Sequence, residues 1–275
     1  NFTNPAAPVA IRDGEPDVPS MQLLPRVYEA VGAETRPVLD WRRAQGLVSR
    51  PKDLPAGFFI APDVPALNQL LNAPDRQLMG ASQEQWLADQ LHASVRTGAT
   101  WQVLGNQILM APVNAPDLSA TPAALADALE RLLPGVKQQL KLTRFPFPFN
   151  TDSWDGYPGA RTRVLASMRA AQGNAIVLTG DTHTAWANEI NDATGRVAVE
   201  FGTTSITSPS DSSYFQPFGV DFDGGIRARN PHVKFNDSKD HGFLLLTLTP
   251  ERATGEFFAV STILSKDYET TRVSA

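Results

Sequence analysis

Apolar residues recur at helical spacing over residues 82–97, where Trp86, Leu87, Leu91 and Val95 share one face. Ser82 stands in front, Gln85 follows three residues later as in a capping box, and Gly98 stops the run. This spacing predicts a helix over 82–97. Residues 100–110 read as a strand interrupted at Gly105-Asn106. Thr121 is placed to cap a second helix through Leu133. Pro158, favoured in a first helical turn, opens a third to about Ala171. The run Ala175 to Leu178 reads as a short buried strand that stops at Gly180. Helix and strand alternate, which predicts α/β layering. After Trp186 the segments 196–201, 242–249 and 256–263 carry β-branched and aromatic residues and read as strands, with 248–255 as a hairpin connection. Residues 203–240, dense in Ser, Gly, Pro and Asp, read as one long loop that serves as a lid or binding segment. Residues 1–75 are broken by prolines and read as an irregular cover or insertion of the same domain, with short helices at 21–31 and 37–46.

Composition changes this picture in few places. The chain has 275 residues, 42% apolar and 19% charged, enough to bury a core in one large or two small domains. Net charge is −5 with no basic block, which argues against nucleic acid as the main partner. The lack of cysteine excludes disulfides and thiolate metal ligands within the chain. No apolar stretch approaches the ~20 residues that span a bilayer. The opening Asn1-Phe2-Thr3-Asn4-Pro5 has no initiator Met and no leader-like apolar region, so it reads as an interior segment, left by a removed signal or by division of a longer chain.

Candidate chemistry concentrates after the Ala175 strand. Asp181 and His183 offer an oxygen and a nitrogen donor at a strand end, and side chains two apart in extended chain point the same way. The carboxyl ends of strands are where open α/β sheets bind ligands. The alternative is an Asp that caps a turn beside a packed histidine. Asn106 ends the preceding strand, as a further ligand or as a turn residue next to Gly105. Trp154, Asp155 and Tyr157 form a substrate-cleft wall or an aromatic turn in which Asp155 caps the helix opened by Pro158. Trp186 belongs to the same candidate cleft. His232 and His241 are candidate general acids or phosphate-binding groups, against a surface or structural role. His92 reads as a solvent-face residue. No Gly-x-Ser-x-Gly elbow or P-loop is present, and the hydroxyls of 203–208 have no identifiable histidine base.

Several motifs occur in a fixed order: Arg76-Gln77-Leu78-Met79-Gly80 with Gln83, Trp86 and Leu87; Trp101 to Gln107; Trp154 to Pro158; Leu178 to His183 with Trp186; Phe201 to Pro209; Asn230-Pro231-His232; and His241-Gly242-Phe243. In this order they resemble the C-terminal part of the PhoD-like alkaline phosphatases, a branch of the calcineurin-like metallophosphoesterases. The resemblance covers residues 76–265 and leaves 266–275 as a tail. It implies part of a four-layer αββα sandwich of two facing mixed sheets, with C-terminal antiparallel strands. It implies phosphomonoesterase or phosphodiesterase activity by a metal-activated water. His183 would bind ferric iron, Asp181 and Asn106 calcium, other divalent metals being compatible with the same donors. It also implies export to the periplasm or medium.

The family's first metal motifs, an Asp on the first strand, a Gly-Asp-x-x-Tyr segment and an Asp-Asp-His-Glu segment, do not occur in this chain. The expectation is therefore a C-terminal half that supplies only the later ligands and needs the N-terminal half, as a separate or nicked chain, to hold both metals. The competing readings are a non-catalytic metal-binding or structural module that keeps the fold, and a phospholipase D-like diesterase.

Overall fold

The computed structural model describes residues 71–132, 136–210 and 219–275, and, among the first 70, residues 11–12, 15–16, 26–31, 34–37, 47, 55–56, 58–61 and 69. Contacts divide the chain into two compact units, 1–73 with 118–145, and 74–117 with 146–275.

The second unit carries the candidate site. Its elements are α1 (Ala81–Arg96), β1 (Trp101–Gly105), α2 (Pro158–Ala171), β2 (Asn174–Thr179), β3 (Ala185–Asp192), β4 (Gly195–Gly202), α3 (Phe222–Arg229), β5 (Val233–Asp237), β6 (Gly242–Leu248), β7 (Ala253–Val260) and β8 (Thr270–Ser274). Five strands form a mixed sheet in the order β5-β3-β4-β2-β1. Within it β1 and β4 run parallel to β2, while β3 is antiparallel to β4 and β5 to β3. The strands β6-β7-β8 form a second, wholly antiparallel sheet.

The alternation of β2 explains the layers. Ala175 and Val177 face α1 and α2, where Leu91, Val164, Leu165 and Met168 complete a hydrophobic cluster with Ile190 and Ala198. Ile176, on the opposite face, is equally buried. Each Val, Leu, Ile or Met side chain taken fully from water contributes about 1.5–3 kcal/mol. The second sheet packs on that opposite face, where the Phe257 ring lies 4.9 Å from Phe235 and 6.3 Å from Phe201. A Cβ at Gly255 would meet the Phe201 ring at 2.7 Å, so the approach of the two sheets requires glycine there. The other face of the second sheet carries Phe243 and Leu245, 45% and 46% exposed.

Several expected elements are present. The helix predicted at 82–97 is α1, the proline-opened helix is α2, and the predicted strand around 175–178 is β2. The hairpin connection is tighter than expected, with Leu248 paired to Ala253. Other details differ. Ser82 does not cap α1: the cap is Gly80, without a side-chain bond, and Gln85 donates to Asp89 instead. Trp86 is 60% exposed, outside the apolar face to which it was assigned. The long loop 203–240 contains α3 and β5. Asp221 caps α3 by accepting from the Gly224 N–H, and burial of Phe222 and Ile226 compensates for two helix-weakening glycines. The strand β3, absent from the sequence-based expectation, is held by pairing with β4 and β5.

In the first unit, strands Arg26–Val31, Glu34–Pro37 and Phe58–Ala61 form one antiparallel sheet, and Ile11–Arg12 pairs with Glu15–Pro16. The helix expected at 21–31 is thus a strand over 26–31, with Tyr28 and Glu29 paired on both sides; residues 21–25 lie outside the described residues. The expected helix 37–46 falls almost wholly outside them too. Two helices, Ala123–Leu132 and Val136–Leu142, belong to this unit, and the Thr121 hydroxyl donates back to the Leu118 carbonyl.

Candidate active site

Strand directions gather the chemistry at one edge. The parallel strands β1, β2 and β4 all end there, at Gly105, Thr179 and Gly202. The antiparallel β3 begins at the same edge, since Trp186 pairs with Gly202, and β5 ends there, since Asp237 pairs with Ala185. Asn106, Asp181, His183, the segment 203–209 and His241 therefore all leave the sheet on one side. His232 precedes β5, whose first residue pairs with Asn188 well inside β3, so it is not brought to this edge.

Asp181 and His183 do not continue β2. The strand ends at Thr179, and both residues take left-handed backbone, with φ 68° and 56°. The expectation that they share a side through extended-chain alternation is thus overturned. They share a side because a turn presents them: both line a cleft of about 310 Å³ with Phe149, Asn150, Thr182, Pro209 and Ser210. Non-glycine residues in this region cost about 1–2 kcal/mol each, and the turn is held against that cost. Thr182 N–H donates to the Gly180 carbonyl, Gly180 N–H to Gln107, and the buried Trp186 indole donates to the Thr182 hydroxyl at 2.8 Å.

The His183 ring is oriented by backbone. Its Nδ1 lies 2.8 Å from the Pro209 carbonyl, which can only accept, so Nδ1 carries a proton and the lone pair of the neutral ring sits on Nε2. Metal-ligating histidines commonly donate their other nitrogen in this way. The exposed Asp181 carboxylate has no hydrogen bond or ion pair among the described residues. Asn106 is held in place: its Nδ2 donates to the Ile108 carbonyl, and its Oδ1 accepts from the Trp154 indole at 3.3 Å, which leaves that oxygen a second lone pair.

The residues expected to wall a cleft sit deeper. Trp154, Asp155 and Trp186 are buried. The two indoles act as anchors, one on Asn106 and one on Thr182. Asp155 does not cap α2; it accepts from Val113 N–H at 2.8 Å and from Arg161 at 2.5 Å. Burial pushes its carboxyl up, and the Arg161 guanidinium opposes that shift. Tyr157, at the N-terminus of α2, lies under the Arg76 guanidinium, 4.7 Å from the ring centre. A second buried acid, Glu200, accepts from the Met110 and Ala111 N–H groups and from Asn188, and burial pushes its carboxyl up as well. Together these acids fix the segment 110–113 against the sheet. The ring of His232 bonds to the Pro112 carbonyl in the same region. His241 instead meets the Ser205 hydroxyl at 3.2 Å through Nδ1.

The family model described as PhoD-like phosphatase matches residues 37–257 of this chain. The chain belongs to the PhoD-like phosphatase family. It is 32% identical to alkaline phosphatase D of Bacillus subtilis strain 168 over 191 residues, which cover 67% of this chain and 27% of that relative. The solved structure of PhoD shares its fold, with a TM-score of 0.53 and 24% identity over 80% of this chain and 42% of that one. The chain thus spans a minor part of both PhoD-like proteins.

Among the described residues no three His, Cys, Asp or Glu side chains gather into a metal-holding group. The imidazole and carboxylate in the cleft fit part of a metal shell: a nitrogen that suits iron, zinc or manganese, and oxygens that suit harder ions. Four to eight donors complete such shells. Sequence reasoning missed Phe149, Asn150, Thr182, Pro209 and Ser210 as lining residues. Thr182 and Pro209 had a signal, since they lie within the ordered motifs Leu178 to His183 and Phe201 to Pro209; Ser210 had none, being fixed by donation to the distant Ser238 carbonyl. Among the described residues no helix is long and apolar enough to cross a membrane.

Proposed function

We propose that this chain is the C-terminal part of a hydrolase that cleaves phosphate esters, with residues 76–265 forming the later half of its catalytic domain. The observation that carries the reading is the pair on the turn after β2. His183 and Asp181 line one open cleft in a PhoD-like phosphatase chain, and among the described residues neither His183 Nε2 nor the Asp181 carboxylate has a partner. In this reading His183 holds ferric iron, and Asp181 and Asn106 hold calcium. Such ions supply Lewis acidity toward phosphoryl oxygens and lower the pKa of bound water.

The chain's own residues orient and protonate. The Pro209 carbonyl keeps the His183 ring in the ligating tautomer, and Trp186 keeps the turn in place. His241 leaves the same edge and serves as general acid: its Nε2–H passes to the departing ester oxygen, which leaves as the alcohol. His232, bonded to Pro112 beside Asp155, has a structural role. Trp154, Asp155, Tyr157 and Trp186 support the cleft from behind and do not touch substrate.

The upstream half completes the remaining donors. It also covers the apolar outer face at Phe243 and Leu245, which makes the fourth layer of the sandwich. The intact protein is exported. A non-catalytic module is the second reading, favoured by the shortage of donors among the described residues.

The test is His183→Ala in the intact protein, with metal content and phosphatase turnover measured together. Iron should be lost and turnover should fall by at least about a hundredfold, the scale of a metal-borne electrostatic term. Full iron occupancy with unchanged turnover would remove His183 from the site. No turnover on any phosphate ester by the metal-loaded intact protein would favour the non-catalytic module.

A further inference from the structure

The hydroxyl-rich segment 203–209 found no use in the sequence, and the fold wraps it between the two histidines of the site. Ser205 Oγ donates to the Ser208 carbonyl at 2.6 Å and lies 3.2 Å from Nδ1 of His241. Thr204 Oγ1 lies 3.1 Å from the carbonyls of both His183 and Asp240. Pro209 accepts from Nδ1 of His183. One short strap therefore touches both imidazoles and the backbone of the residue before His241.

We infer that Ser205 is a positioning residue that holds His241 with Nδ1 protonated and so confines proton transfer to Nε2. The inference rests on the proposal that His241 is the general acid. A serine hydroxyl has one proton and two lone pairs. Ser205 spends its proton on the Ser208 carbonyl, so it offers His241 only lone pairs, and the shared hydrogen must come from Nδ1. Nδ1 stays protonated in both the imidazolium and the neutral ring, and only Nε2 gains and loses a proton. The reverse arrangement, Ser205 donating to a bare Nδ1, would forfeit the 2.6 Å bond. For the same reason Ser205 is not a nucleophile activated by His241, since that role needs the hydroxyl proton aimed at the ring.

Imidazole-labelled protein read by nitrogen NMR tests this directly. The chain has only four histidines, so the His241 signals are assigned by their loss in His241→Gln. The wild type should show Nδ1 of His241 bonded to hydrogen across the neutral pH range. Ser205→Ala should give a mixture of tautomers, and Ser205→Thr should restore the single form. In the intact enzyme Ser205→Ala should lower kcat about tenfold with KM unchanged, a fraction of what a general acid contributes, and Ser205→Thr should recover most of it. A bare Nδ1 in the wild type, or a single unchanged tautomer in Ser205→Ala, overturns the inference. If the tautomer shifts while His241→Gln keeps full turnover, the positioning by Ser205 stands and the assignment of His241 as general acid fails.

Discussion

Asp155 and Glu200 lie in the interior of the sheet unit, each met by two or three donors, whereas Asp181 stands exposed on a strained turn without a partner among the described residues. All three are carboxylates close to the same strand ends. The interior pair spend their lone pairs on the backbone of 110–113 and on Arg161 and Asn188. That use makes them structural: an acid taken out of water persists only with its hydrogen bonds filled. Asp181 keeps its lone pairs because water solvates them, and it can exchange water for a ligand. Saturation by donors, not acidity, separates the residues that hold this fold from those available for chemistry.

The largest test of that contrast is Asp155→Ala. It strips the carboxylate from the mostly buried Arg161, which keeps only the Met110 carbonyl, and orphans the Val113 N–H, and it should cost about 3–5 kcal/mol in denaturant unfolding, the scale for breaking a buried pair. Asp181→Ala in the same assay should cost less than about 0.5 kcal/mol, as expected for an exposed, unpartnered side chain. Similar costs for the two would break the comparison.

Glu200 sharpens it through pH. Its carboxyl is raised from the ordinary 4.5, so between that value and its folded value the native state binds more protons than the unfolded chain. Stability from this group is complete below pH 4.5 and declines as pH rises through the raised value. Glu200→Gln should make the decline shallower in unfolding midpoints measured across that range. The raised Asp155 and Asp223 leave some of it in place. A steeper decline in the variant would reverse the assignment.

The smallest effect concerns strained backbone. Gln172 ends α2 in left-handed conformation, as Asp181 does on the site turn. Glycine at either position should raise stability by about 1 kcal/mol. Only Asp181→Gly should weaken calcium retention by the intact protein, measured by titration. Equal retention in both variants would show that strain at Asp181 carries no ligand.

The legible and illegible parts of the fold divide on where their stabilising contacts lie. The helices α1 and α2 and the strand β2 announce themselves through periodicity, Gly98, Pro158 and Gly180, all signals contained in the segment itself. The strands β3 and β5 contain Asn, Asp and Glu at positions a propensity rule counts against, and they exist because β4 gives β3 a ladder to join and β3 gives one to β5. In the site, Asp181 and His183 were readable as donors, but the reason they face one cleft was misread. Trp154 and Trp186 were readable as part of the site region, yet their burial and their indole bonds to Asn106 and Thr182 were not.

By itself the sequence determined the α/β layering, the family and the identity of the strand-end donors, because local periodicity and ordered motifs are carried by neighbouring residues. Only the tertiary structure decided how those donors are used. The Pro209 carbonyl that sets the His183 tautomer, the Ser205 hydroxyl that meets His241, and the backbone amides that fill Asp155 and Glu200 lie 26 to 90 residues away along the chain. Hydrogen bonds over such separations follow from strand order and direction, which no single segment encodes.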